Sequence, residues 1–319
     1  MSDQISASLA ANDAEAPGRN ALQPHADWLA GLEAASDETG YFQPLGTQHW
    51  AFFHDDGKTL LVTFERAATI RAALPDRLPD GFRLAQTKGW SHLCLIAEGE
   101  TWYRDPALFR YFDRLIDDAF FEDFDHVLFY GAGMGAYGAA AFSVAAPGAA
   151  VLAVQPVATL DPAVAGWDAR HRHARRLNFT DRFGFAPEMT EGAGQVFVIH
   201  DPQERDDAMH AALFWRPWVT QLRARRLGGG LEHTLRRMGL FDALLTEAAE
   251  GRLTVTSFAR ALRVRRNYGP YLRRILAENA EAGQTAREAM ICRSVVGRVK
   301  APAFRKRLSE IEGQTVPKG

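Results

Sequence analysis

VLFYGAGMGAYGAAAFSVAAP, residues 127–147, decides how this chain folds. A wholly apolar run stops at a glycine turn and passes directly into alanine-rich sequence, which reads as strand, sharp turn and helix. Gly133, Gly135 and Gly138 loosely satisfy the dinucleotide pattern G-x-G-x-x-G. That fingerprint belongs to the first βα unit of a fold and expects an acidic ribose ligand roughly 20 residues later. Here at least three apolar runs precede the turn, and the next one ends in VQPVATLDP with no acid before Asp161. A P-loop would need Lys-Ser or Lys-Thr, which is absent. A phosphate loop is therefore set aside.

The other reading is a nucleophile elbow, G-x-S-x-G, in which close-packed neighbours require the flanking glycines. Gly131 and Gly135 supply both flanks, and Gly133 stands at the apex without a hydroxyl. Covalent acyl transfer from that position is then impossible. Met134, the residue after the apex, still offers a backbone N–H to an oxyanion hole.

The rest of the chain supports an α/β architecture. HWAFFHD and KTLLVTFE, separated by Asp55-Asp56-Gly57, predict a hairpin. SHLCLIAEG, DHVLFYG, AAVLAVQP and GQVFVIHD are apolar runs of strand length, with VTQLRARRL a weaker fifth. PALFRYFDRLIDDAF spaces Leu108, Phe112, Leu115 and Ile116 as a helix does. Short apolar runs alternating with helices describe parallel strands buried on both faces. The expected fold is a mixed, mostly parallel sheet with helices on both faces. Functional residues should gather at the carboxyl ends of its strands.

Several of these segments together resemble a bacterial branch of the α/β-hydrolase superfamily. DHVLFYGAGMGAYGAAAFS is similar to that branch's Y-G-S-S-M-G-G-Y-A-A elbow, with Gly133 at the serine position and Ala136 at a glycine position. SHLCLIAEGETWYRDPALFRYFDRL, VLAVQPVATLDP, VFVIHDPQERDDAMHAAL and LGGGLEHTLRRMGLFDALL resemble the branch's other segments in the same order. The resemblance implies a triad ordered Ser, Asp, His. It puts His233 at the histidine position and leaves Asp201 and Asp207 both open for the acid, with Asp206 weaker. It places the second oxyanion donor after the TFER strand, at Glu65 or Arg66. His210 matches a further histidine of the branch that orders a loop. A phosphoadenosine phosphosulfate reductase, a label some similar chains carry, needs a reactive C-terminal cysteine in a charged, glycine-containing motif. Cys292, in AMICRSVVG, lacks that context.

WDARHRHARR (residues 167–176) matches no metal spacing and reads as a solvated basic lid or loop. Past Gly251 there are fifteen Lys/Arg against five Asp/Glu, which predicts a basic helical region packed back on the sheet. The expected organisation is a leader over 1–23, an α/β-hydrolase-like domain over 24–250 and a basic helical extension over 251–319. The leader is polar, without the apolar core of a secretory signal, and reads as disordered.

A net charge of −2 excludes a generally basic nucleic-acid binder. Cys94 and Cys292 match no zinc or redox spacing, and Cys94 reads as a buried apolar residue. No apolar stretch has the length of a membrane span. A cytoplasmic protein without cofactor or metal is expected. Three functions follow: a degenerate hydrolase-like protein that binds a small molecule or a partner, an ester hydrolase using histidine-activated water, and an interaction protein whose basic C-terminus takes an anionic partner.

Overall fold

The structure, a computed structural model, describes residues 19–36, 39–73 and 75–315. Residues 1–18 of the expected leader lie outside the described residues, and its remainder opens helix α1 (Arg19–Ser36). The chain continues through strands β1 (Gly40–Leu45), β2 (His49–His54) and β3 (Thr59–Arg66), helices α2 (Ala67–Ala72) and α3 (Asp80–Lys88), and β4 (Ser91–Ala97). Next come α4 (Pro106–Asp117), β5 (His126–Ala132), α5 (Met134–Phe142), β6 (Ala150–Val154), the short α6 (Pro162–Ala165) and α7 (Ala186–Met189), and β7 (Gln195–His200). Helix α8 (Arg205–Leu213), strand β8 (Val219–Arg223), α9 (Leu231–Arg237) and α10 (Phe241–Ala249) complete the sheet domain. Helices α11 (Val255–Ala261), α12 (Gly269–Glu281), α13 (Thr285–Val296) and α14 (Pro302–Thr315) follow.

The eight strands form one sheet in the order β1-β2-β4-β3-β5-β6-β7-β8. Only β2 runs against the rest, pairing antiparallel with β1 and β4. The expected hairpin between β2 and β3 is therefore corrected. β4 lies between them, and β2 instead makes its hairpin with β1. The apolar β4 is buried at every position, and the central slot is where such a strand loses most contact with water.

The central strands bury alternating residues on two faces. Val62, Phe64, Phe129 and Val151 pack with α4 and α5 on one. On the other, Leu61, Leu128, Leu152 and Ile199 pack with Leu244 and Leu245 of α10. Beyond them Phe52, Cys94 and Ile96 meet Trp28 and Leu32 of α1. The C-terminal helices join in two ways. Phe258 and Leu262 enter the α10 side of the core, whereas Leu272, Cys292, Val295 and Phe304 form a small core of their own. Among the described residues no helix is long and apolar enough to cross a membrane. The strand order, the single antiparallel inner strand and the β5–α5 turn make this an α/β-hydrolase-like fold with a C-terminal helical region.

Candidate active site

The turn between β5 and α5 is built by close approach. A Cβ on Gly131 would stand 2.1 Å from the Gly135 backbone, and one on Gly135 would stand 2.3 Å from the Phe64 carbonyl oxygen. The three backbones of β5, α5 and β3 therefore touch only because glycine occupies both flanks. Gly133 is different. Its φ of 56° and ψ of −117° form a sharp corner, yet its Cβ position is open, with nothing within 4 Å. Its N–H donates to the Val154 carbonyl across to β6 at 2.9 Å. The first N–H groups of α5, from Met134 and Gly135, have no acceptor within the helix.

The corner opens on a cavity of about 300 Å³ at the carboxyl ends of the strands. Met134, Glu65, Arg66 and Asp207 line it with Gly133, so these expected site residues share one wall system. His233 and Asp201 are outside it. His233 is exposed on α9 and forms no ion pair among the described residues. Asp201 is fully buried, and its carboxylate accepts the N–H groups of Gln203 and Gly228 at 3.1 and 2.9 Å. It is a turn-holding group. The structure does not bring His233 to either candidate acid.

Several residues at the cavity were not singled out from the sequence. Gln155 directly follows β6, with an unusual φ of 51°. Its amide nitrogen donates to Asp207 at 2.5 Å and to the Gly229 carbonyl at 2.7 Å, while its oxygen accepts the Leu231 N–H. The glycine loop after β8 is thus tied to α8. Glu232 accepts the Tyr130 hydroxyl at 2.8 Å, and Arg236 bridges Glu232 and Asp80 at 2.8 and 3.3 Å. Placement at the carboxyl end of a strand was the signal available for Gln155. An i,i+4 Glu–Arg pair such as Glu232–Arg236 looks like any helix surface.

The segment 167–176, expected as a solvated basic lid or loop, is a largely exposed loop whose Arg170 and His171 also line the cavity. Arg170 pairs with Asp168 at 2.9 Å and with Asp207 at 2.6 Å. Arg170 and His210 together hold the Asp168 carboxyl far below the usual carboxylate range, against the opposing effect of burial. His210 Nδ1 accepts the Ala158 N–H, so Nε2 carries the proton donated to Asp168 at 2.9 Å. Both ring nitrogens are used, and burial lowers the imidazole's affinity for a second proton. His210 orders the loop after β6.

His171, the one histidine on the cavity wall, packs its ring on Trp102 with centroids 4.8 Å apart. The buried Trp102 indole N–H meets no acceptor among the described residues, and Tyr103 packs in the core with its hydroxyl toward the Glu65 carbonyl. Among the three arginines of the wall, Arg66 forms no ion pair among the described residues.

Glu65 is the carboxyl of the cavity wall whose ionisation is displaced toward neutrality. Its oxygens accept the N–H groups of Asp80 and Gly81, at the start of α3, and the Thr63 hydroxyl. Burial, reinforced by Asp80 and opposed by those hydrogen bonds, pushes its carboxyl up to about 7. Thr63 also meets His92 Nε2 at 2.9 Å, and burial pushes His92 down to about 3. Glu65, His92 and Cys94 place one donor atom each within 4.8 Å of one another. Their hydrogen bonds already engage both carboxylate oxygens, so this cluster is a network beneath α3 and a poor metal cradle.

No protein-family model and no curated protein matches the chain in sequence. Solved structures do resemble it. The capsule O-acetyltransferase of Neisseria meningitidis serogroup A is 12% identical, with a TM-score of 0.42 over 67% of this chain and 99% of its own. An arylesterase is 14% identical, with a TM-score of 0.42 over 73% and 93%. The Glycosylation Associate Protein (Gap123) complex of Streptococcus agalactiae is 13% identical, with a TM-score of 0.41 over 64% of this chain and 44% of its own. At this distance the likeness is one of overall architecture. The assignment of an α/β-hydrolase-like fold stands on the chain's own strand order and elbow.

Proposed function

We propose that this protein is an α/β-hydrolase-fold member that binds a small polar molecule at the elbow and does not form an acyl-enzyme. One observation carries the reading. The cavity at the elbow joins no nucleophile to a histidine: Gly133 occupies the apex, and His171 is engaged with Trp102. The wall is suited to recognition, since it combines the exposed, unpaired Arg66 with the ion-paired Arg170 and Arg236 and the Gln155 side chain. Concave sites with a few fixed polar groups are the usual form of small-molecule sites.

Labelling by a fluorophosphonate probe tests this directly. Wild type and Gly133→Ser are both expected to stay unlabelled and to hydrolyse no chromogenic acyl ester. Serine fits the open space at residue 133, but His233, the histidine expected to serve as its base, is not on the cavity wall. Labelling of either protein would overturn the reading. In a thermal-shift screen of small polar metabolites, a ligand at about 100 times its Kd should stabilise wild type by about 2.7 kcal/mol. That gain should be lost in Arg66→Glu, which alters an exposed, unpaired wall residue. A second reading, ester hydrolysis by activated water, is favoured only by Glu65. A carboxyl that titrates near neutrality can act as a general base, whereas the histidine expected for that role is absent from the elbow.

A further inference from the structure

We infer that the open edge of β8 is a docking site for an extended acidic peptide, taken up as an added strand of the sheet. β8 ends the sheet and pairs only with β7. The Ala224 N–H donates to the His200 carbonyl at 2.8 Å, which fixes the phase of the ladder. Thr220 and Leu222 then face β7, and the backbone groups of Gln221 and Arg223 face outward. Neither outward N–H meets an acceptor among the described residues. Such an edge is a template for another chain unless proline, a bulge or charge guards it. β8, VTQLR, has no proline, and its single charge is Arg223.

Beside this edge runs a groove of about 320 Å³ between β8 and α11. Trp215 at 69% exposure and Val255 at 57% line it, with Phe258 and Leu262 at its base. Large apolar side chains left this exposed around a concavity mark a partner surface. The charge identifies the partner. Arg223 and Arg265 line the groove, and Arg216 and Arg225 adjoin it in the chain. None of the four is paired with a carboxylate among the described residues, whereas nearby Arg226 and Arg274 are both bound to Glu278. A second copy docking edge to edge would bring like charges together around Arg223. An acidic strand would neutralise them while its backbone satisfies Gln221 and Arg223, and its alternate apolar side chains enter the groove.

Fluorescence anisotropy with a labelled Glu-Val-Glu-Phe-Glu-Val-Glu peptide tests the proposal on the full chain. Wild type should bind with Kd on the order of 10 µM, more weakly as salt rises. The double variant Arg223→Glu/Arg265→Glu should weaken binding at least tenfold, and Trp215→Ala about fivefold, with Tm unchanged. The same peptide N-methylated on alternate residues, made in both phases, should lose binding in one phase only. That readout leaves the protein untouched. Equal binding of both N-methylated peptides, or no binding of the unmodified one, would overturn strand addition. So would equal binding to anionic phosphatidylserine vesicles or single-stranded RNA with the same Arg223 and Arg265 dependence. Concentration-dependent dimerisation that the peptide does not compete would assign the edge to a second copy and reject the peptide. These outcomes are independent of whether the elbow cavity binds a ligand.

Discussion

Gly135→Ala is expected to leave little folded protein, although it adds one methyl group. The new Cβ would lie 2.3 Å from the Phe64 carbonyl oxygen, an atom of a central strand that cannot turn aside as a side-chain end can. Relief requires α5 to move away from β3. That separation would open contacts around Phe64, Tyr137 and Phe142, all in one core. Overpacking ordinarily costs about 1–3 kcal/mol, and a clash with fixed backbone belongs at or beyond the top of that range. Against a total stability of about 5–15 kcal/mol, a loss of 3 kcal/mol or more should show as a sharply lowered midpoint in urea. Gly133→Ser is the informative contrast. Its side chain has room, so the cost is confined to a non-glycine residue in a sparsely populated backbone conformation, about 1–3 kcal/mol. Equal destabilisation by the two substitutions would mean that the elbow is not packed as described.

This contrast also shows what the sequence could disclose. The flanking glycines announced the close approach of three backbones because only glycine permits it. The inner strands were visible because burial on both faces demands unbroken apolar runs. The partner of each strand was not. Asp55-Asp56-Gly57 turns the chain equally well whether or not the next strand pairs with the last, and the insertion of β4 is a long-range decision. β1, GYFQPL, was missed because an edge strand containing Pro44 and burying little has no apolar run to show.

At the site, helix phase explains the largest gap. Glu232 and His233 are neighbours on α9, but successive helical residues point about 100° apart. Glu232 reaches the cavity and His233 faces solvent. The part that the loop 167–176 plays in the cavity wall was hidden for a different reason. The Asp207 that neutralises Arg170 is 37 residues further along the chain, so local composition showed only excess positive charge.

The second large effect concerns Glu65 and pH. Its folded carboxyl titrates near 7, against 4.5 for an ordinary glutamate, because burial beside Asp80 penalises the ionised form. The folded state therefore holds this proton more tightly than the unfolded state. The resulting stability is fully present below about pH 4.5 and is lost as pH rises to about 7. A shift of this size corresponds to roughly 3 kcal/mol over the full range. The buried histidines act in the opposite direction. His92, His210 and His49 resist protonation in the folded state, so they weaken the protein as pH falls. The wild-type profile sums these effects, and comparison with Glu65→Gln separates them. The variant should be less stable at pH 5, because an amide nitrogen accepts no hydrogen bond and would face one of the two N–H groups that Asp80 and Gly81 present to separate carboxylate oxygens. Its deficit should shrink by about 2 kcal/mol between pH 5 and 8, as wild type loses the benefit of its bound proton. Chemical denaturation at a series of pH values measures that difference. A deficit that stays constant would show that Glu65 is ionised throughout, held by the start of α3, and it would remove the ground for Glu65 as a base at this cavity.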